Sequence, residues 1–381
     1  MRLALRLGFA ALRLVTLFLL DRVVPRAPVV VFCSMYGYGG NSRVMYDAWL
    51  RAGSKHRLVW IVPSPRLAER LRGENVDAYP EKSWPAWLSC VRAAMWVTDS
   101  EPPLGWWRWR RNKRKIVQLW HGVGPKSEPP ASWTREARMA MAARFRRFDV
   151  IVTSSLAAVP HYQQWGLGDR VRDLGYPRHD QLVALRHEGG MQRASLMRHG
   201  GWSGPGRVIM YAPTWRHDGH VPEIDWSAWR ELLIRYDAYL LLRVHPTRGK
   251  ELHVPDQQRF GVIDSAAISD ITELLPGVDV LITDYSSIAF DFLVLDRPMI
   301  FYLYEHESMV ASRGVWLPTR DFPGKVCYSF PEVLTNLTDV LGRGDDGECR
   351  ERRARARRLY LPTSDGHATE RVLRTVQDLV E

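Results

Sequence analysis

Cysteine is scarce in this sequence, with four residues in 381. Cys33, Cys90, Cys327 and Cys349 lie far apart and form no CxxC pair. That spacing excludes a zinc knuckle and a thioredoxin-like redox motif. Cys33 and Cys90 fall in apolar runs and read as small core residues, consistent with a reducing compartment. Internal repeats and low-complexity tracts are also missing, which sets aside solenoids and disordered scaffolds. No nucleic-acid-binding signature is present, so no nucleic-acid partner is expected. No DxD or other carboxylate pair stands out as a metal clamp, and neither metal nor cofactor is expected. Negative charge is in deficit: 42 acidic against 53 basic residues, a net charge of +11. Such an excess points to anionic lipid or phosphate-bearing substrates.

What is present is a globular composition, 46% hydrophobic and 25% charged, on a chain long enough for two α/β domains. Residues 3–20 are strongly apolar. No small-residue cleavage site follows, which argues against a signal peptide. Arg2, Arg6 and Arg13 fall within about 40° of one another at about 100° per residue. A membrane-spanning helix would bury Arg6 and Arg13 at high cost. An amphipathic helix lying in the membrane surface puts them at the lipid phosphates, and this reading is preferred for residues 1–25. Residues 106–115 interleave tryptophan with arginine and lysine, a composition suited to an anionic interface.

Beyond residue 26, short apolar runs alternate with amphipathic stretches. Strands are expected at 29–32, 58–62, 94–98, 115–119 and 150–153, and helices at 42–50 and 66–72. A glycine-rich break at 187–207 carries one short helix, and the pattern then restarts. Strands follow at 208–211, 239–244, 262–264, 280–283 and 299–302, with helices at 226–236, 270–275, 287–295, 347–358 and 368–380. This alternation predicts an α/β fold of two Rossmann-type domains, residues 26–190 and 205–350, facing a cleft, with C-terminal helices at 351–381.

Polar clusters stand where strands end, which is where such sheets bind ligands. Trp120-His121-Gly122-Val123-Gly124-Pro125-Lys126 follows a strand. His121 is placed to accept a proton at neutral pH, and the glycines admit a phosphate to the backbone. A loop histidine satisfied by backbone partners is the plain alternative. Arg243-Val244-His245-Pro246 ends another strand, with Arg243 and His245 alternating to one face. In Thr283-Asp284-Tyr285-Ser286-Ser287, the two serines are placed to cap a helix whose amides favour phosphate. Asp291, one turn on, is placed to accept from a hydroxyl. An ordinary N-cap explains one serine, but not two beside a strand-end aspartate. Tyr211-Ala212-Pro213-Thr214-Trp215 and Gly175-Tyr176-Pro177-Arg178 complete the set. Trp215 suits a base and Arg178 a phosphate, unless these are turns with packed aromatics.

Taken in order, these clusters resemble the CDP-glycerol glycerophosphotransferase family of teichoic-acid synthesis. Arg297-Pro298, Arg313-Gly314 and Pro323-Gly324 extend the resemblance to roughly residues 28–340. The resemblance implies a GT-B-like fold and transfer of glycerol phosphate from CDP-glycerol to a lipid-linked or polymeric cell-envelope glycan, releasing CMP. It implies His121 as base and His245 serving the diphosphate. Donor contacts would come from Trp120, Gly122, Val123, Gly124, Arg178, Pro213, Thr214, Arg243, Val244, Ser286, Ser287 and Asp291. Residues 26–190 would hold the acceptor and 205–350 the donor. The enzyme would sit peripherally on the cytoplasmic face of the membrane. Two departures stand out: Val123-Gly124 where the family often has Thr-Pro, and His179-Asp180 where it usually has Asn-Asp. Competing readings are another CDP-alcohol such as CDP-ribitol, a GT-B nucleotide-sugar glycosyltransferase, and a non-enzymatic polyanion-binding scaffold.

Overall fold

The structure is a computed structural model that describes residues 15–16, 19–102, 114–127, 130–155, 157, 168–214, 222, 224–244, 254, 258–264 and 268–380. Strands β1 (Ala27–Cys33), β2 (Arg57–Val62), β3 (Ala78–Pro80), β4 (Ala93–Thr98), β5 (Lys115–Gln118), β6 (Val150–Thr153) and β7 (Val171–Asp173) build the first sheet. The second consists of β8 (Arg207–Ala212), β9 (Ala238–Val244), β10 (Phe260–Asp264), β11 (Val280–Thr283), β12 (Met299–Tyr302) and β13 (Lys325–Cys327). Their orders are β3-β2-β1-β4-β5-β6-β7 and β10-β9-β8-β11-β12-β13. The pairings are parallel throughout. In both, the chain reverses direction of travel between β1 and β4 or between β8 and β11, which opens a crevice at the strands' carboxyl ends.

Residue pattern explains the layering. In β8, Val208, Met210 and Ala212 face a core continuous with the first domain, while Ile209 and Tyr211 face a second core. That alternation is the period of two of a strand buried on both faces. The outer core is closed by Trp229 and Leu233 of the helix Trp226–Arg235 and by Val333 and Leu337 of the helix Phe330–Arg343.

The strands β3, β7 and β13 and the helices Trp84–Arg92, Arg135–Phe145, Pro177–Ala184, His306–Ser312 and Phe330–Arg343 escape the sequence reading. The three strands are each three residues long, too short for periodicity to register. The expected helix at 270–275 is a 3-10 helix, Thr272–Gly277, because Pro276 lacks the N–H an α-helix would use. The glycine-rich break holds an 11-residue helix, Gly190–Gly200, that Gly201 ends in the left-handed conformation.

The amphipathic helix expected over residues 1–25 falls mainly outside the described residues, as do 103–113 of the basic tryptophan run. At the end of that first segment, Asp21 is buried and accepts from Arg26 at 2.7 Å and Arg114 at 2.9 Å. Among the described residues no helix is long and apolar enough to cross a membrane.

The C-terminal helix Ala368–Gln377 returns to the first domain and packs on the helices Gly40–Arg51 and Pro177–Ala184. Asp180 seats it: the carboxylate accepts from the amides of Ala368 at 3.0 Å and Thr369 at 2.7 Å. These are two of the donors a helix start leaves free. Asp180→Ala is expected to lower stability by about 0.5–2 kcal/mol, the usual worth of an N-terminal cap, read by urea denaturation.

Candidate active site

Strand ends from both sheets converge on one cleft. After β4 comes Asp99, fully buried. Its carboxylate accepts from the Ser34 hydroxyl at 2.9 Å and from the amides of Met35 at 3.2 Å and Ser42 at 3.4 Å. Burial nevertheless raises its pKa to about 7. Gly40 makes this packing possible. It has φ of +65°, and a Cβ there would lie 2.3 Å from Asp99 Oδ2.

After β5 comes His121. Its Nδ1 lies 3.2 Å from the Asp99 carbonyl oxygen, a contact that places the proton on Nδ1 and leaves the Nε2 lone pair open. Trp120 stacks against the ring at 5.0 Å. Trp120 itself has φ of +57°, rare outside glycine, and its amide donates to the Gln118 side chain at 2.9 Å. Burial, with Arg178 adding to it, lowers the His121 pKa to about 4. At neutral pH the imidazole is therefore uncharged and able to take a proton.

Arg178 stands beside it, at the start of the helix Pro177–Ala184 and 2% exposed. Its Nη2 donates to the His121 carbonyl at 2.8 Å and to Asp291 Oδ1 at 2.7 Å and Oδ2 at 2.8 Å, and Nε donates to Oδ1 at 3.0 Å. Burial opposes its charge, but Asp291 outweighs this and raises its pKa. Nη1 is buried with no hydrogen-bond partner. Asn41, buried, joins the two loops: its Nδ2 donates to the Trp120 carbonyl at 2.9 Å and its Oδ1 accepts from the Arg178 amide at 3.0 Å.

The second domain closes over this group. Gly122, at φ +135°, sits so near that a Cβ would lie 3.1 Å from both Ser287 Cβ and Arg178 Nη2. Beyond it the loop crosses to the other domain. Lys126 bridges Val315, the Ser127 amide donates to the Gly314 carbonyl at 2.9 Å, and the Trp316 indole donates to the Gly124 carbonyl at 2.7 Å. On the opposite side Asp270 accepts from the Gly40 amide at 2.6 Å, and Arg43 pairs with Glu273 at 2.7 Å.

The structure thus brings together His121, Gly122, Gly124, Arg178, Ser287 and Asp291. Several expectations change. Asp291 is not placed to accept a substrate hydroxyl: it is 4% exposed, and its oxygens are taken by Arg178 and by His179 Nε2 at 2.9 Å. The Val123 side chain is buried in the core, so only its backbone is available to a ligand. Ser287 makes no side-chain cap to the helix Ile288–Leu293. Thr214 gives its amide and hydroxyl to Asp284 Oδ1 at 2.8 and 2.6 Å, which locks the Pro213-Thr214 turn. Arg243 Nη2 donates to the Ser269 carbonyl at 3.3 Å. His245 and Trp215 lie outside the described residues, and Val244 is placed only as the last residue of β9.

Sequence reading missed Asp99 and Asn41. A signal for Asp99 existed: Thr98-Asp99 ends β4 as Thr283-Asp284 ends β11, the equivalent strand of the other sheet.

Two doubly wound parallel sheets with a histidine, a buried arginine and close-packed glycines at their shared crevice define a GT-B-like transferase. Residues 16–378 match the CDP-glycerol:poly(glycerophosphate) glycerophosphotransferase family. The chain belongs to that family and is an enzyme of glycerol-phosphate transfer. It is 27% identical to a Staphylococcus aureus teichoic acid glycerol-phosphate transferase, over 95% of this chain and 96% of that protein. It is 26% identical to a Staphylococcus epidermidis teichoic acid poly(glycerol phosphate) polymerase, over 84% of this chain but 47% of the polymerase. The fold superposes on the wall teichoic acid polymerase TagF with a TM-score of 0.79, at 21% identity and over 99% of this chain and 98% of that one.

Asp99 sets a pH signature. Its folded pKa of about 7 exceeds the ordinary 3.8, so the native state holds a proton that the unfolded chain releases. Stability is therefore expected to fall as pH rises from about 4 to 7. Asp99→Asn should flatten that slope in denaturation series across this range.

Proposed function

We propose that this chain moves glycerol phosphate from CDP-glycerol to a hydroxyl of a lipid-linked or polymeric cell-envelope glycan, releasing CMP. The acceptor oxygen attacks the β-phosphorus, and the new P–O bond forms as the bond from the β-phosphorus to the bridging oxygen breaks. The electron pair leaves with CMP, and the acceptor proton passes to His121 Nε2. The observation that carries this reading is the pairing of an uncharged His121, anchored through Nδ1, with the buried and unpartnered Nη1 of Arg178. A base for the hydroxyl and a cation for the diphosphate are what phosphoryl transfer needs from a protein. Gly122 and Gly124 leave backbone accessible next to both. The family resemblance assigns His245 to the diphosphate as a second donor.

The enzyme works, in this reading, on the cytoplasmic face of an anionic membrane, where lipid-linked acceptors are displayed. Val15, Leu19 and Val23 support it: all three are exposed, and their spacing of four puts them on one helical face.

His121→Ala is expected to lower the rate of CMP release from CDP-glycerol by at least about 100-fold, the typical worth of a positioned base, while the far-ultraviolet circular dichroism stays unchanged. Turnover at the wild-type rate in that variant would remove His121 from the role. Supplying CDP-glycerol, CDP-ribitol and UDP-sugars side by side, with products weighed by mass spectrometry, tests the donor. UDP release in place of CMP would favour the glycosyltransferase reading.

A further inference from the structure

Behind the cleft lies a polar chain that the reaction itself does not use. His179 is 1% exposed. Its Nε2 lies 2.9 Å from Asp291 Oδ1, and its Nδ1 lies 2.7 Å from the Ser364 hydroxyl. Asp291, paired with Arg178, is an acceptor. The ring proton therefore sits on Nε2, and Nδ1 accepts from Ser364. Ser364 belongs to the segment joining the helices Gly347–Tyr360 and Ala368–Gln377, so this chain of contacts links three parts of the fold. It runs from the C-terminal crossover through the first domain to Asp291 of the second, and ends on the guanidinium of Arg178.

The trio has the order of a hydrolase triad, but its environment argues against nucleophilic work. Asp291 is shared with Arg178, which draws negative charge away from His179. The imidazole has no exposed face at which an acyl group could be attacked. What the arrangement does accomplish is orientation. Asp291 Oδ1 receives Nε and Nη2 of Arg178 as well as His179. A carboxylate held from two sides cannot swing, and the planar guanidinium follows it. Nη1 is then the one guanidinium nitrogen left buried without a partner.

We propose that His179 is a positioning residue for the donor diphosphate: through Asp291 it fixes the aim of Arg178, and through Ser364 it makes that aim depend on the seated C-terminal segment. The inference rests on the proposed donor reading. The residue that departs from the family's usual asparagine thus acts on the phosphate end of the donor.

The test compares His179→Leu, which removes both hydrogen bonds, with His179→Gln, whose amide reaches about as far as Nε2 and keeps the donor to Asp291. Binding of CDP is measured by calorimetry, and kcat and KM by CMP release. For His179→Leu, CDP affinity should fall and donor KM rise about tenfold or more, the worth of one misplaced charged hydrogen bond. Acceptor KM should stay unchanged. His179→Gln should restore CDP affinity to within about threefold of the wild type. Equal CDP affinity in His179→Leu and wild type, or failure of His179→Gln to rescue, overturns the proposal. Labelling of Ser364 by a fluorophosphonate would also overturn it, because the trio would then be nucleophilic. Should His179→Leu not fold, Ser364→Ala replaces it: weakened CDP binding supports the link and unchanged binding overturns it. Wild-type protein that binds CDP but releases no CMP from CDP-glycerol sinks the proposed reaction and leaves the positioning role standing. Wild-type protein that does not bind CDP sinks both.

Discussion

The site depends on one ion pair that crosses the domain boundary. Arg178 comes from the first domain and Asp291 from the second, and both are almost wholly out of water. Burying two charges is unfavourable unless their geometry and remaining hydrogen bonds compensate. Here the guanidinium meets the carboxylate through Nε and Nη2, and His179 and the His121 carbonyl occupy further positions. Removing either partner would leave the other charge unpaired in a low-dielectric site, which typically costs about 3–5 kcal/mol.

The same burial sets the chemistry. A cation 2.8 Å from the His121 carbonyl and a dry surrounding disfavour imidazolium, so the ring stays uncharged. Asp99 feels the same dryness with the opposite sign and holds its proton up to about pH 7. It acts on His121 through its backbone carbonyl rather than its carboxylate. The glycines at 40 and 122 belong to this economy of space. At Gly40 a Cβ would collide with Asp99, and at Gly122 it would crowd Arg178 and Ser287.

Closure also explains why the last helix returns to the first domain. Asp180 receives the amides of Ala368 and Thr369, while its neighbour His179 reaches Ser364 in the same segment. Adjacent side chains of one short helix thus hold the C-terminal crossover and the ion pair together. Cross-domain backbone pairing of Ser127 with Gly314 and of Trp316 with Pro125 closes the other side.

Much of this was legible in the residues. Apolar runs placed ten of the strands, His121 and Ser287 were read from strand ends, and the family resemblance joined them with Arg178 and Asp291 as donor contacts. Strand periodicity and strand-end position are local properties, so the chain carries them without reference to the fold. Asp99 and Asn41 were not seen because their partners are far away in sequence: Asn41 meets residues 79 and 137 positions further on. The role of Asp291 was misread for the same reason. Its spacing from Ser287 is visible in the sequence, but its partners Arg178 and His179 lie 113 and 112 positions away. The sequence by itself determined the paired α/β units, the strand-end chemistry and the family. Only the tertiary structure decided which of those groups meet, which are buried and hence which protonation states they hold. Burial and charge pairing are properties of the assembled volume, and no local pattern records them.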